Sequence, residues 1–213
     1  MFEGLFGFFK SGGLFMIPIG LCSIVSLAFI LERAFALRRA RIIPAALRDI
    51  ALYHPAGEPS AQLTRAVERS SATLARLIRV CLEHLPWPKN ENVEAVQTRA
   101  RIELVGLERG LVVLEIITGI APLLGLLGTV SGLITIFSNI GATGLGTQGL
   151  VIAQGIAEAL NTTVAGLVVA IPSLIAFTYF TKKVESMMVE MESTCMDLLT
   201  KLYTEPDEAS PAK

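Results

Sequence analysis

Apolar residues are spread unevenly along this chain, and their spacing sets the elements to expect. Leu14 to Leu31 carries no charge, and with the preceding Ser-Gly-Gly the uncharged run from Ser11 reaches 21 residues. At about 1.5 Å per residue, some 20 residues cross the roughly 30 Å hydrocarbon core of a bilayer. The stretch Ile116 to Thr181 is longer, 66 residues with one charge, Glu158. It is long enough for two crossings joined by a hairpin rich in Gly and Thr. Between and after these blocks the pattern changes to helical spacing with polar faces. Leu63, Val67, Leu74, Leu77, Ile78 and Cys81 make one such stripe, closed by Pro86-Trp87-Pro88. Val93, Val96, Ala100, Leu104, Leu107, Leu111 and Leu114 make a second, with Asn90 or Asn92 as its cap. Val184, Met187, Met188, Met191, Cys195, Leu198 and Leu202 make a third.

These patterns predict an all-α membrane protein with three transmembrane helices and long helical extensions outside the bilayer. The expected division is 1–13 as an interfacial segment, 14–31 as the first crossing, and 32–110 as a cytoplasmic helical domain. Residues 111–139 form the second crossing, 140–157 an external loop, 158–181 the third crossing, 182–204 a cytoplasmic helix and 205–213 a disordered tail. Within the cytoplasmic domain, Pro44 begins a helix that ends before His54-Pro55-Ala56-Gly57, and Pro59 sits in the first turn of the next. No breaker separates the second stripe from the membrane block, so one long helix is expected from about Asn92 to about Asn139. A cleaved signal peptide is the rival reading of the first block, because Ala34-Phe35-Ala36 has a small-x-small form. The leading end lacks a basic cluster and Arg33 sits beside the would-be site, which favours a retained span.

Charge then orients the helices. Arg33, Arg38, Arg39, Arg41 and Arg48 follow the first block, whereas Lys10 alone precedes it. Ser138 to Gly155 has no Lys or Arg, and Lys182-Lys183 closes the third block. Under the positive-inside rule all three counts place the N-terminus outside and the C-terminus in the cytoplasm. A net charge of -1 argues against nucleic acid as a partner. Cys22, Cys81 and Cys195 have no disulfide or metal spacing, and His54 and His84 have no ligand partners nearby, so neither metal nor cofactor is expected. No nucleotide-binding loop, nucleophile elbow or zinc-protease motif occurs, and no enzyme is expected.

The membrane blocks carry costly residues. On a helical wheel Thr118, Pro122, Gly125, Thr129 and Gly132 share one face of the second crossing. Glu158, Thr162, Gly166 and Ala170 share a face of the third, with Thr163 beside it. Small stripes let helices approach closely, which is one reading. A conduction path is the other. Glu158 is an ionisable group at the outer end of its span. Thr129, Thr162, Thr163 and Asn161 can hydrogen-bond water in a lumen, and Pro122 and Pro172 remove backbone donors. No Asp, Lys or His lies deep in any span, so a complete proton relay needs a carboxylate from a second protein.

At these residues the sequence closely resembles the MotA/TolQ/ExbB proton-channel family, on its ExbB/TolQ side. The resemblance is carried by Ala121-Pro122, by Gly125-Leu126-Leu127-Gly128-Thr129-Val130-Ser131-Gly132 and by Gly155-Ile156-Ala157-Glu158-Ala159-Leu160. Thr163, Gly166-Leu167 and Ala170-Ile171-Pro172 complete it. It departs at Ser131, where many relatives have Trp, and at Asn161, where close relatives often have an aliphatic residue. The flagellar stator branch, with a fourth span, fits poorly. The resemblance implies an inner-membrane pentamer enclosing the helix of a single-span ExbD/TolR-type partner that supplies the proton-carrying aspartate. The work would pass to a TonB- or TolA-type protein acting on the outer membrane. Thr129 and Thr163 would face the partner's aspartate, and Glu158 would sit at the periplasmic mouth. Gly125, Gly128, Gly132 and Gly166 would serve packing. A non-conducting membrane scaffold is the alternative.

Overall fold

The computed structural model describes residues 14–140 and 148–204. Its elements are eight helices among the described residues: α1 Met16–Ala36, α2 Arg39–Ile42, α3 Ala45–Leu52, α4 Ala61–Arg69, α5 Thr73–Glu83, α6 Lys89–Glu108, α7 Leu111–Ile140 and α8 Gln148–Leu202. Three of them contain stretches long and apolar enough to cross a membrane, Met16–Ala36, Leu111–Ser138 and Gly155–Leu202. The all-α fold expected from the pattern is therefore the observed one. The expected interfacial segment 1–13, the tail 205–213 and positions 141–147 of the expected loop lie outside the described residues.

The chain divides into two compact units. The first combines α1 up to Arg33 with Gly110–Tyr179. Its core is thin and lies where three apolar helices meet. Met16 and Ile19 of α1 pack on Ala165 of α8, with Leu124 and Val169 around them. Ile117 and Ala121 of α7 pack on Ala170, flanked by Cys22, Val25 and Val113. Most of the large side chains point away from this core. Ile17, Ile24, Leu123, Phe137, Val168 and Ile175 are each more than 60% exposed. A helix apolar all round belongs in a medium other than water, or against another chain.

The second unit combines Ala34–Arg109 with α8 from Phe180 onward. Here the stripes read from the sequence turn inward. Leu63, Val67, Leu74, Leu77, Ile78 and Cys81 are buried on α4 and α5, as are Val184, Met191, Cys195 and Leu198 on α8. Polar ties fix the layers. Glu103 of α6, nearly buried, takes Arg76 of α5 on both carboxylate oxygens and Arg99 at 2.7 Å. Glu190 of α8 receives Arg39 of α2 and Arg48 of α3. The amide of Gly57, whose φ is 107°, donates to the Lys201 carbonyl at 3.1 Å. Lys201 in turn reaches the Leu52 carbonyl at the end of α3.

Four expectations change in the structure. The stripe from Leu63 to Cys81 belongs to two helices, because the chain leaves the helix at Ser70, Ser71 and Ala72. Val67 and Leu74 are seven residues apart, two whole turns, so the helical phase survives the break and periodicity alone cannot detect it. Pro59 precedes the helix, and the cap is Ser60, whose Oγ accepts from the Leu63 amide at 3.2 Å. Neither Asn90 nor Asn92 caps α6, which starts at Lys89 after Pro88. Asn92 is instead fully buried, donating to the Cys81 carbonyl at 2.9 Å and to the Tyr203 hydroxyl at 3.1 Å. Finally, the long second helix is interrupted at Arg109–Gly110. A Cβ at Gly110 would collide with the Arg33 guanidinium, so glycine is what admits that side chain.

Candidate functional site

The α7/α8 contact gathers Thr129, Thr162, Thr163 and the four glycines singled out in the membrane blocks. Its closeness comes from missing side chains. A Cβ at Gly166 would stand 2.5 Å from the Ala121 carbonyl oxygen, and one at Gly125 would stand 2.9 Å from the Thr162 carbonyl oxygen and the Thr163 Cα. At Gly128 it would meet the Thr162 hydroxyl at 2.7 Å, and at Gly132 the Ala159 Cβ at 2.9 Å. Backbones at such separations exclude any larger residue, and they gain dispersion contacts along the whole stripe. The pairing of Gly132 with Ala159 and of Ala121 with Gly166 makes the two helices antiparallel.

Close approach brings two hydroxyls together. Thr129 Oγ1 and Thr163 Oγ1 are hydrogen-bonded to one another across the contact. Thr129 Oγ1 also lies 3.0 Å from the Ala159 carbonyl and 3.2 Å from that of Gly125, and Thr163 Oγ1 lies 3.2 Å from the same Gly125 carbonyl. Two hydroxyl protons face two carbonyl acceptors beyond themselves, so two arrangements satisfy both groups. Thr163 donates to Thr129 while Thr129 donates to a carbonyl, or Thr129 donates to Thr163 while Thr163 donates to Gly125. Both residues are half-buried, leaving a side open beyond the contact. Thr162 is different. It is 2% exposed, its hydroxyl donates to the Ala159 carbonyl at 2.6 Å, and it fills the space left by Gly128.

The remaining sequence candidates lie elsewhere along the same two helices. Asn161 is half-buried and Glu158 is exposed. Glu158 lies well inside α8, because that helix begins at Gln148 within the stretch expected as a loop. Pro122 and Pro172 sit inside unbroken helices. Each removes one donor, from the carbonyls of Thr118 and Val168. A second polar contact escaped the sequence reading. Ser26 of α1 and Ser173 of α8, both buried, are bonded at 2.6 Å, and Ser173 donates on to the Val169 carbonyl at 2.7 Å. Two serines inside apolar runs were the available signal. Among the described residues no cluster of three His, Cys, Asp or Glu could hold a metal.

The model of the MotA/TolQ/ExbB proton channel family matches residues 64–193, well over half of the chain. The chain belongs to the MotA/TolQ/ExbB family. An ExbB-like biopolymer transport protein of Synechocystis is 34% identical over 208 residues, covering 92% of this chain and 75% of the relative. An ExbB-type biopolymer transport protein of Vibrio cholerae is 30% identical over 185 residues, covering 85% and 81%. Identity rises to 43% over a shorter stretch of 77 residues with the Helicobacter pylori biopolymer transport protein ExbB, 36% of this chain and 52% of that one. The molecule is thus a membrane component of ExbB/TolQ type, and the threonine pair, the glycine contacts and Glu158 all fall within the region matched by the family model.

Proposed function

We propose that this chain is the subunit of an inner-membrane proton channel that drives work at the outer membrane. In this reading it assembles as a ring, a pentamer by family resemblance, around the helix of an ExbD/TolR-type protein. The complex uses the proton motive force to energise a TonB- or TolA-type protein. The N-terminus lies in the periplasm and the C-terminus in the cytoplasm. The observation that carries the reading is the half-open Thr129–Thr163 hydroxyl pair. It offers two interchangeable hydrogen-bond arrangements at a level of the spans where this chain places no Asp, Lys or His, with Glu115 and Glu158 to either side. A hydroxyl at neutral pH does not hold an extra proton, so the charge carrier is a carboxylate from a second chain. The exposed apolar flanks of all three spans support both lipid contact and contact between copies.

The test is co-expression with a single-span, aspartate-bearing partner, purification of the complex and proton flux in liposomes under an imposed potential. The wild-type complex is expected to conduct, and loss of the partner's aspartate to stop it. Replacing Thr129 and Thr163 together with Val keeps the shape and removes both hydroxyls. That double variant is expected to assemble normally and to lose flux. Full flux from it would remove the hydroxyl pair from the path, and a complex that assembles without conducting would favour the scaffold reading.

A further inference from the structure

Glu115 lies near the start of α7, between Val113-Leu114 and Ile116-Ile117, and is exposed. Ionisable residues within membrane-length spans mostly face the bundle interior or a water-filled cavity, so this position calls for a wetter setting than lipid. Helical phase supplies one. Fourteen residues separate Glu115 from Thr129, and at about 100° per residue they return to within about 40° of the same direction. Thr118 and Pro122 fall in the same sector. Because α7 and α8 are antiparallel, Glu158 lies on one side of the Thr129–Thr163 pair and Glu115 on the other. Along the axis Glu115 is about 21 Å from Thr129.

The interval between them is not inert. Pro122 has no N–H, so the Thr118 carbonyl lacks its helical donor. The Thr118 hydroxyl is turned back onto the Glu115 carbonyl at 2.6 Å. One sector of α7 therefore presents a hydroxyl, a carbonyl without its helical donor and a carboxylate, in that order. At the same end of this unit, α1 contributes Glu32 and Arg33, paired with each other at 2.6 Å, with the Arg33 guanidinium against Gly110. Tyr179 marks the corresponding end of α8.

We propose that Glu115 is the proton-transfer group at the end of the conduction path opposite Glu158. Its carboxylate takes a proton from water in the passage, becomes the carboxylic acid, and returns the proton to bulk water at that end. The carboxylate is regenerated and no other reactant is consumed. The inference rests on the proton-channel reading above.

The experiment is proton flux through the reconstituted complex with its single-span partner, comparing wild type, Glu115→Gln and Glu115→Asp, with assembly followed by size-exclusion chromatography. Glu115→Gln is expected to assemble and to lower flux about a hundredfold, the lower end of what a positioned proton-transfer group contributes. Glu115→Asp, shorter by one methylene but titratable, is expected to restore much of it. Wild-type flux from Glu115→Gln would overturn the proposal, as would equal loss in both variants, which marks a structural role. If the wild-type complex conducts, those results bear on Glu115 alone. If an assembled wild-type complex does not conduct, the channel reading fails and this proposal fails with it.

Discussion

The glycines show how much one missing methyl group decides. A Cβ at Gly166 would stand 2.5 Å from a backbone carbonyl oxygen, while Gly106 on α6 has open space where its Cβ would be. Gly166→Ala is expected to lower the thermal unfolding midpoint in detergent, corresponding to about 1–3 kcal/mol of overpacking. Gly106→Ala is expected to leave it unchanged or raise it, since alanine is favoured over glycine in a helix interior by up to about 1 kcal/mol. Equal effects at the two sites would mean that the α7/α8 contact is looser than described. From sequence both are glycines in helical stretches; only the neighbour across the contact separates them.

At the scale of elements, the second unit is held by polar ties that the periodic stripes do not reveal. Glu103 is the centre of one. The Arg76 guanidinium hydrogen-bonds to the charged carboxylate and holds its pKa below the usual value, with the charges of Arg76 and Arg99 adding to this and burial opposing it. The folded chain therefore binds this proton less readily than the unfolded chain. Its contribution is complete above the unfolded carboxyl pKa and is lost as pH falls through the folded one. Glu103→Gln is expected to destabilise this unit by about 1.5–3 kcal/mol at neutral pH. It is also expected to flatten the loss of stability on acidification, measured by denaturant unfolding across pH. A second tie joins the end of α8 to the turn before α6. The Tyr203 hydroxyl lies 2.8 Å from the Trp87 carbonyl and 3.2 Å from those of His84 and Leu85, while accepting from Asn92. Tyr203→Phe is expected to cost about 1 kcal/mol and to speed hydrogen exchange at the last turn of α8 and the first turn of α6. Unchanged exchange there would show that packing alone holds the α8 end. Asn92 read as a cap from sequence because asparagine favours caps; burial between Cys81 and Tyr203 gives it another use.

For the whole molecule, the segregation of charge makes the strongest statement. Basic residues follow the first span and close the third, and the stretch between the second and third spans has none. In a cysteine-free background, Thr204→Cys is expected to react with a membrane-impermeant maleimide only after cells are opened. Labelling in intact cells would invert the proposed topology. The division into two units follows the same segregation: one holds the apolar lengths, the other the amphipathic ones, and α8 supplies a segment to each.

Length, apolar runs and period were enough to determine an all-helical chain with three membrane-length helices, since each depends only on local composition and spacing. The residues around Gly125, Thr129 and Glu158 were likewise enough to identify the family. Tertiary structure decided what those residues touch. It joined Thr129 to Thr163, turned Thr162 into the gap at Gly128, and bonded Ser26 to a serine 147 positions away. It also broke the stripes at Ser70–Ala72 and at Gly110. The physical reason is the same throughout: helical phase fixes the direction a side chain takes from its own axis, but a partner across a helix contact is set by how closely two backbones can approach.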